Sequence, residues 1–113
     1  MRHVFSLQSL PVSRWRNGGG ETREIIRFPP DAADFAWRAS IATIACDGPF
    51  STFNGVDRTI TLLNGSPVLL HGATCEHRLL PEAPWAFAGE WALEASLQGN
   101  EPSQDFNVMT RRG

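Results

Sequence analysis

Apolar and polar positions alternate with a period of two along most of the chain, and this predicts strands rather than helices. Phe35, Trp37, Ala39, Ile41 and Thr43 alternate with Ala36, Arg38, Ser40, Ala42 and Ile44, the pattern of a strand with two unlike faces. Val56–Leu63 is a second run, rich in β-branched residues. Asn64-Gly65 follows it and leads into Val68–Leu70. Asn-Gly between apolar runs is a strong hairpin signal, because both residues tolerate positive φ. Pro67 has no amide donor and is expected where no ladder bond is needed. Gly72 is expected to turn the chain into Thr74–Leu80, and Trp91–Leu97 and Asp105–Thr110 are the last strand candidates. In the final strand Phe106, Val108 and Thr110 form a mainly apolar face, and Asp105, Asn107 and Met109 form a mixed one with Asn107 at a polar site. Only Asp31–Phe35 and Leu79–Ala83 suit a short helical turn. Eight Pro and ten Gly between short apolar runs complete an all-β pattern, an antiparallel sandwich or small barrel.

A length of 113 residues suits one domain, spanning 1–113. The net charge of −2 excludes a general electrostatic grip on nucleic acid or an anionic membrane. All of the basic side chains are arginine, so each cation is a planar, permanently charged fork. No apolar run is long enough for a signal peptide or a membrane span, and a cytoplasmic location is expected. Cys46 and Cys75 lack metal or redox spacing and are expected to be reduced thiols.

Two stretches are candidates for binding chemistry. Trp15-Arg16-Asn17-Gly18-Gly19-Gly20-Glu21-Thr22-Arg23-Glu24 contains three consecutive glycines, a costly choice unless the backbone needs their freedom. Their amides are suited to a nest that holds an anion, with Asn17 orienting it and Trp15 as an apolar wall. A wide loop or bulge between strands is the other reading. In Asp47-Gly48-Pro49-Phe50-Ser51 and Phe53-Asn54-Gly55-Val56-Asp57-Arg58, an aromatic-anchored loop feeds a strand in which Arg58 sits two residues inside. Alternation puts Asp57 on the opposite face, so Arg58 either faces a polar cavity and takes an anion or pairs with a carboxylate at the surface. His71, Cys75, Glu76 and His77 invite a metal reading, but a turn at Gly72 spreads them over two faces, and no metal or other cofactor is expected. No Ser, His and Asp set has the spacing of a nucleophilic site.

Taken together, Trp15–Glu24, "DGPFSTFNGVDRTITLL" from Asp47 and "DFNVMTRRG" from Asp105 closely resemble the ordered signature segments of the HutD/Ves family. Phe35–Ala45 and "WAFAGEW" around Trp85–Trp91 fit the segments between them. The resemblance runs from about Leu10 to the last residue. It implies a cupin-like double-stranded β-helix of jelly-roll type. Metal-dependent cupins use a histidine-rich motif; Gly65 and His71 have its opening spacing, but Ala73 stands where the next histidine belongs, which favours a metal-free site. HutD members are associated with histidine utilisation and with a regulatory role that binds a small pathway carboxylate such as formylglutamate or urocanate. Ves members are linked to cold or stress response. Family chains run beyond the third signature segment, so part of the second cupin half is expected to be lacking, and the uncovered sheet surface predicts a homodimer.

The leading functional expectation is therefore a small-carboxylate-binding regulatory protein. Its site would comprise Trp15, Asn17, Gly18, Gly19, Gly20, Phe50, Ser51, Arg58 and Asn107, with neither nucleic acid nor membrane as partner. One alternative is a metal-independent cupin-type enzyme using Asp57 or Glu24 as general base. Another is a truncated or partner-dependent protein without a ligand of its own.

Overall fold

A computed structural model describes residues 10–15, 19–30 and 35–112. In chain order its strands are β1 (Val12–Arg14), β2 (Gly20–Phe28), β3 (Trp37–Ile44), β4 (Gly48–Pro49), β5 (Val56–Asn64), β6 (Val68–His71), β7 (Glu76–Leu79), β8 (Trp85–Ala88), β9 (Glu94–Leu97) and β10 (Ser103–Arg111). They form a six-stranded sheet ordered β1-β2-β3-β10-β5-β8 and a four-stranded sheet ordered β4-β9-β6-β7. Every strand pair is antiparallel, giving a jelly-roll sandwich of the expected all-β type. Among the described residues no helix is long and apolar enough to cross a membrane.

The strands at Trp37–Ile44, Val56–Asn64, Glu76–Leu79, Glu94–Leu97 and Ser103–Arg111 fall within or close to the runs that alternation marks. Gly72 turns β6 into β7 as expected, its amide donating to the Cys75 carbonyl at 2.8 Å. Three expectations change. Asn64-Gly65 does not close a hairpin, because β5 and β6 lie in different sheets; it carries the chain across the sandwich with Gly65 at φ +90°. Gly20–Phe28 is a nine-residue strand, so Gly20–Glu24, part of the stretch read as an anion nest or a wide loop, lies in a sheet. Its register slips between Glu24 and Ile26, and such a bulge breaks the period-two signal in the sequence. Leu79–Ala83 is no helical turn, since Leu79 ends β7 and Pro81 bridges to Leu62. The other helical candidate, Asp31–Phe35, lies outside the described residues up to position 34.

The packing of the long sheet runs against the usual rule. Ile44, Ile60, Leu62, Val68, Leu70, Leu79, Phe87, Leu93 and Ala95 form the larger core cluster, and Phe35, Val56 and Met109 a smaller one. Along β5 the charged Arg58 stands between Val56 of the small cluster and Ile60 of the large one. On β10 the inward positions are Ser103, Asp105, Asn107 and Met109, all buried, while Phe106 and Val108 face outward. Ser40 on β3 is likewise turned inward opposite Asn107. The interior thus carries a polar layer between two apolar ends.

Candidate functional site

That polar layer opens into a cavity of about 580 Å³. The loop over it is fastened by its backbone: the Phe50 amide donates to the Leu93 carbonyl at 2.9 Å, and the Phe53 amide to the Gly89 carbonyl at 2.8 Å. These bonds hold two aromatic rings over the mouth. Trp15 packs edge-on against Phe50, with centroids 5.8 Å apart, and its Nε1 donates to Thr22 Oγ1 at 2.9 Å.

Arg58 is the centre of the site. It is 7% exposed, and no described carboxylate pairs with it. Its Nη1 donates to the Ser51 carbonyl at 3.1 Å and its Nη2 makes a long contact of 3.5 Å to Asn107 Oδ1, while Nε has no partner. The rings of Phe50, Phe53 and Phe87 surround the guanidinium at 5.5, 5.3 and 5.0 Å. Burial first, and the nearby Arg38 charge second, pull its pKa below the usual guanidinium range, down to about 10. At neutral pH it therefore remains a cation, held in a place that penalises the charge.

A second group of charges stands beside the same space. Glu24 Oε1 accepts from Arg27 Nε at 2.9 Å and lies 2.9 Å from Arg38 Nε, in ion-pairing range but off the direction a hydrogen bond needs. Among the described residues every charged side chain lining the cavity is an arginine, namely Arg14, Arg27, Arg38 and Arg58, with Glu24 beside it, inside a chain whose net charge is −2. This arrangement is suited to an anion. A guanidinium with free donors, neutral hydrogen-bonding groups at Ser40, Thr22 and Asn107, and aromatic walls fix the anion's position and exclude water from it.

Of the residues singled out from the sequence, Trp15, Phe50, Ser51, Arg58 and Asn107 come together around this cavity. Gly19 and Gly20 are not among the residues that line it. The buried Gly19 carbonyl accepts from the amides of Ala45 and Cys46 at 2.8 and 3.1 Å, and the Gly20 carbonyl accepts from the Trp15 amide at 2.9 Å. Gly20 is required for close approach: a Cβ there would lie 2.9 Å from the Trp15 ring and nearer still to the Thr43 carbonyl oxygen. Asn17 and Gly18 lie outside the described residues. Asp57 points away from the cavity and pairs with Arg112, which also reaches Glu90. His71 Nε2 sits 3.1 Å from Ser96 Oγ, and His77 stacks on Trp85 at 4.5 Å. Among the described residues no His, Cys, Asp and Glu cluster could hold a metal ion.

Sequence reasoning missed Arg27 and Arg38 as cavity residues and named Glu24, which stands beside the cavity, only as an alternative general base. The bulge places Glu24 and Arg27 inward although they are three apart, a spacing that strand alternation does not produce. For Arg38 the signal was its strand parity with Ser40, Ala42 and Ile44.

Comparison with known proteins places this cavity in context. Residues 7–113 match the HutD family. The chain is 51% identical over 109 residues to the protein Ves of Citrobacter koseri, covering 96% of this chain and 57% of that one. The structure of HutD from Pseudomonas fluorescens, solved in a formate condition, superposes with a TM-score of 0.83 at 36% identity, covering 92% of this chain and 57% of that one. The chain thus spans a little over half the length of these relatives. A cupin domain from Schizosaccharomyces pombe superposes with a TM-score of 0.73 at 10% identity, over 96% of this chain and 73% of that one, which identifies the fold as cupin.

Proposed function

The chain belongs to the HutD family, and on that premise we propose that it binds a small carboxylate inside the jelly roll and reports its presence, a regulatory task in histidine utilisation, without transforming it. The observation that carries this reading is Arg58, a buried cation with an unpartnered Nε and no described carboxylate to neutralise it, facing an arginine-lined cavity. A buried charge without a counterion is costly, and an anionic ligand supplies what the fold leaves out. The volume of about 580 Å³ admits an acid such as formylglutamate or urocanate.

Binding rather than catalysis is favoured by the lining itself. Among the described residues no Asp, Glu, His or Cys side chain lines the cavity, and Glu24 beside it is occupied by Arg27 and Arg38. The usual general bases are therefore missing where a substrate would sit. Calorimetric titration with formate, formylglutamate and urocanate tests the reading. A saturable heat with at least one acid, abolished in Arg58→Ala, is expected. No heat from any of them at millimolar ligand would sink it.

A further inference from the structure

The outer face of the six-stranded sheet is the counterpart of its polar inner face. Ile26 and Phe28 on β2 are 49% and 52% exposed, and Phe28 stacks on Trp37 at 6.0 Å. Ala39 and Ile41 on β3, and Phe106 and Val108 on β10, continue the apolar surface across the sheet. Among the described residues its charges are Glu21 beside Arg23 at one end, and Asp57, paired with Arg112, on the level of Phe28 and Thr110. We infer that two copies of this chain associate through this face, about a two-fold axis running along β10.

The register argues for a second copy rather than another occupant. Along the level of Val108, the outward residues run Ile26, Ala39, Val108, Thr59 and Ala86 from β2 to β8. One level on, they run Phe28, Trp37, Thr110, Asp57 and Ala88. The bulky side chains therefore lie on one flank of β10 and the small ones on the other. A two-fold axis along β10 exchanges the flanks: Ile26 falls on the second copy's Ala86, Phe28 on its Ala88, Trp37 on its Asp57–Arg112 pair, and Val108 on its own equivalent. The small flank is already hollow, a groove of about 390 Å³ between Thr59, Ala88 and Thr110 with Trp91 as its wall. The face of one copy is thus both knob and socket for the other, as an isologous contact requires. Five strands of this length cover on the order of 600 Å² in projection. That reaches the upper end of the patches monomers leave open and approaches the ~800 Å² that each partner gives a stable complex.

Light scattering on the full chain at micromolar concentration is expected to return twice the 12.5 kDa chain mass. Thr59→Arg, which puts an unpaired cation into the contact from each side, should weaken the dimer by about 100-fold or more. Ala86→Glu, at an exposed position, should do the same, and circular dichroism shows whether each variant keeps its fold. In a Cys46→Ser background, Val108→Cys should cross-link to itself on oxidation, while Glu101→Cys, off the face, should not. A monomeric wild-type chain, or a dimer that both charged variants leave intact and Val108→Cys fails to link, overturns the inference and gives the face to a different occupant.

Discussion

Replacing Arg58 by methionine should leave folding stability unchanged or raise it, while removing ligand binding. A fall in pKa from the usual guanidinium range to about 10 corresponds to about 3 kcal/mol of penalty on the charged form in the folded state. Both values lie above neutrality, so the penalty is present in full from acid pH to about pH 9 and does not vary with pH there. Against it stand the 3.1 Å bond to the Ser51 carbonyl and the long contact to Asn107, worth together about 1–2 kcal/mol net. The three aromatic rings contribute further, but they also pack against a thioether, so most of that contact survives the change. The balance for Arg58→Met is about 0 to +1 kcal/mol in urea unfolding. Removing one member of a neutralised buried ion pair instead costs ~3–5 kcal/mol, so the two situations are well separated. Titration with formate in the same samples should show at least a 100-fold loss of affinity, since a charge-assisted double hydrogen bond is gone. A variant destabilised by 3 kcal/mol or more, or one that still binds formate, would show that Arg58 is a structural strut rather than an anion receptor.

Glu24→Gln should strengthen anion binding several-fold, because it unpairs Arg27 and Arg38 beside the cavity; weaker binding would mean that Glu24 is needed to hold the two arginines in place. Asp105 is fully buried, with Oδ2 held by Ser103 at 2.8 Å and Oδ1 unpartnered, and burial raises its pKa from 3.8 to about 6 despite that bond. The folded carboxyl thus keeps its proton where the unfolded one has lost it, so stability falls as pH rises from about 4 to 6 and stays lower above. Asp105→Asn should flatten that slope, a relative gain of about 2–3 kcal/mol at pH 7; unfolding profiles that run parallel would refute it. Gly20→Ala should cost more than about 2 kcal/mol and disturb Trp15 fluorescence, because the new methyl collides with the Thr43 carbonyl; an unchanged melting temperature would refute the close approach.

Strand alternation revealed the fold class because residues such as Ile44, Ile60 and Leu62 sit on one face of their strands and are fully buried there. It failed where local chemistry and sheet geometry part. Asn64-Gly65 has hairpin chemistry, yet its positive φ serves a crossing between sheets, a choice set by which strand finds β10 as its neighbour. β8 (Trp85–Ala88) was legible only through the family resemblance, because four residues bounded by Pro84 and Gly89 are too few for a period to show. The glycine run was read for its amides, whereas Gly20 is needed for its missing Cβ.

The site was half legible for a related reason. Arg58 and Asn107 lie in regular strands, where parity with buried Ile60 and Met109 gives their direction. Glu24 and Arg27 straddle a bulge, and their direction depends on the neighbouring strand β3. The same bulge turns Ile26 and Phe28 outward while sending Arg27 in, so a single slipped residue supplies both a cavity cation and the bulky flank of the outer face. A strand without it, in strict alternation from Glu24, would bring Ile26 and Phe28 inward and turn Arg27 out. The cavity would then lose a guanidinium and the sheet its exposed stack. Inserting one alanine between Ile25 and Ile26 flips the three residues that follow and tests this coupling: loss of anion binding and of self-association together is expected, and loss of one with the other intact would separate them.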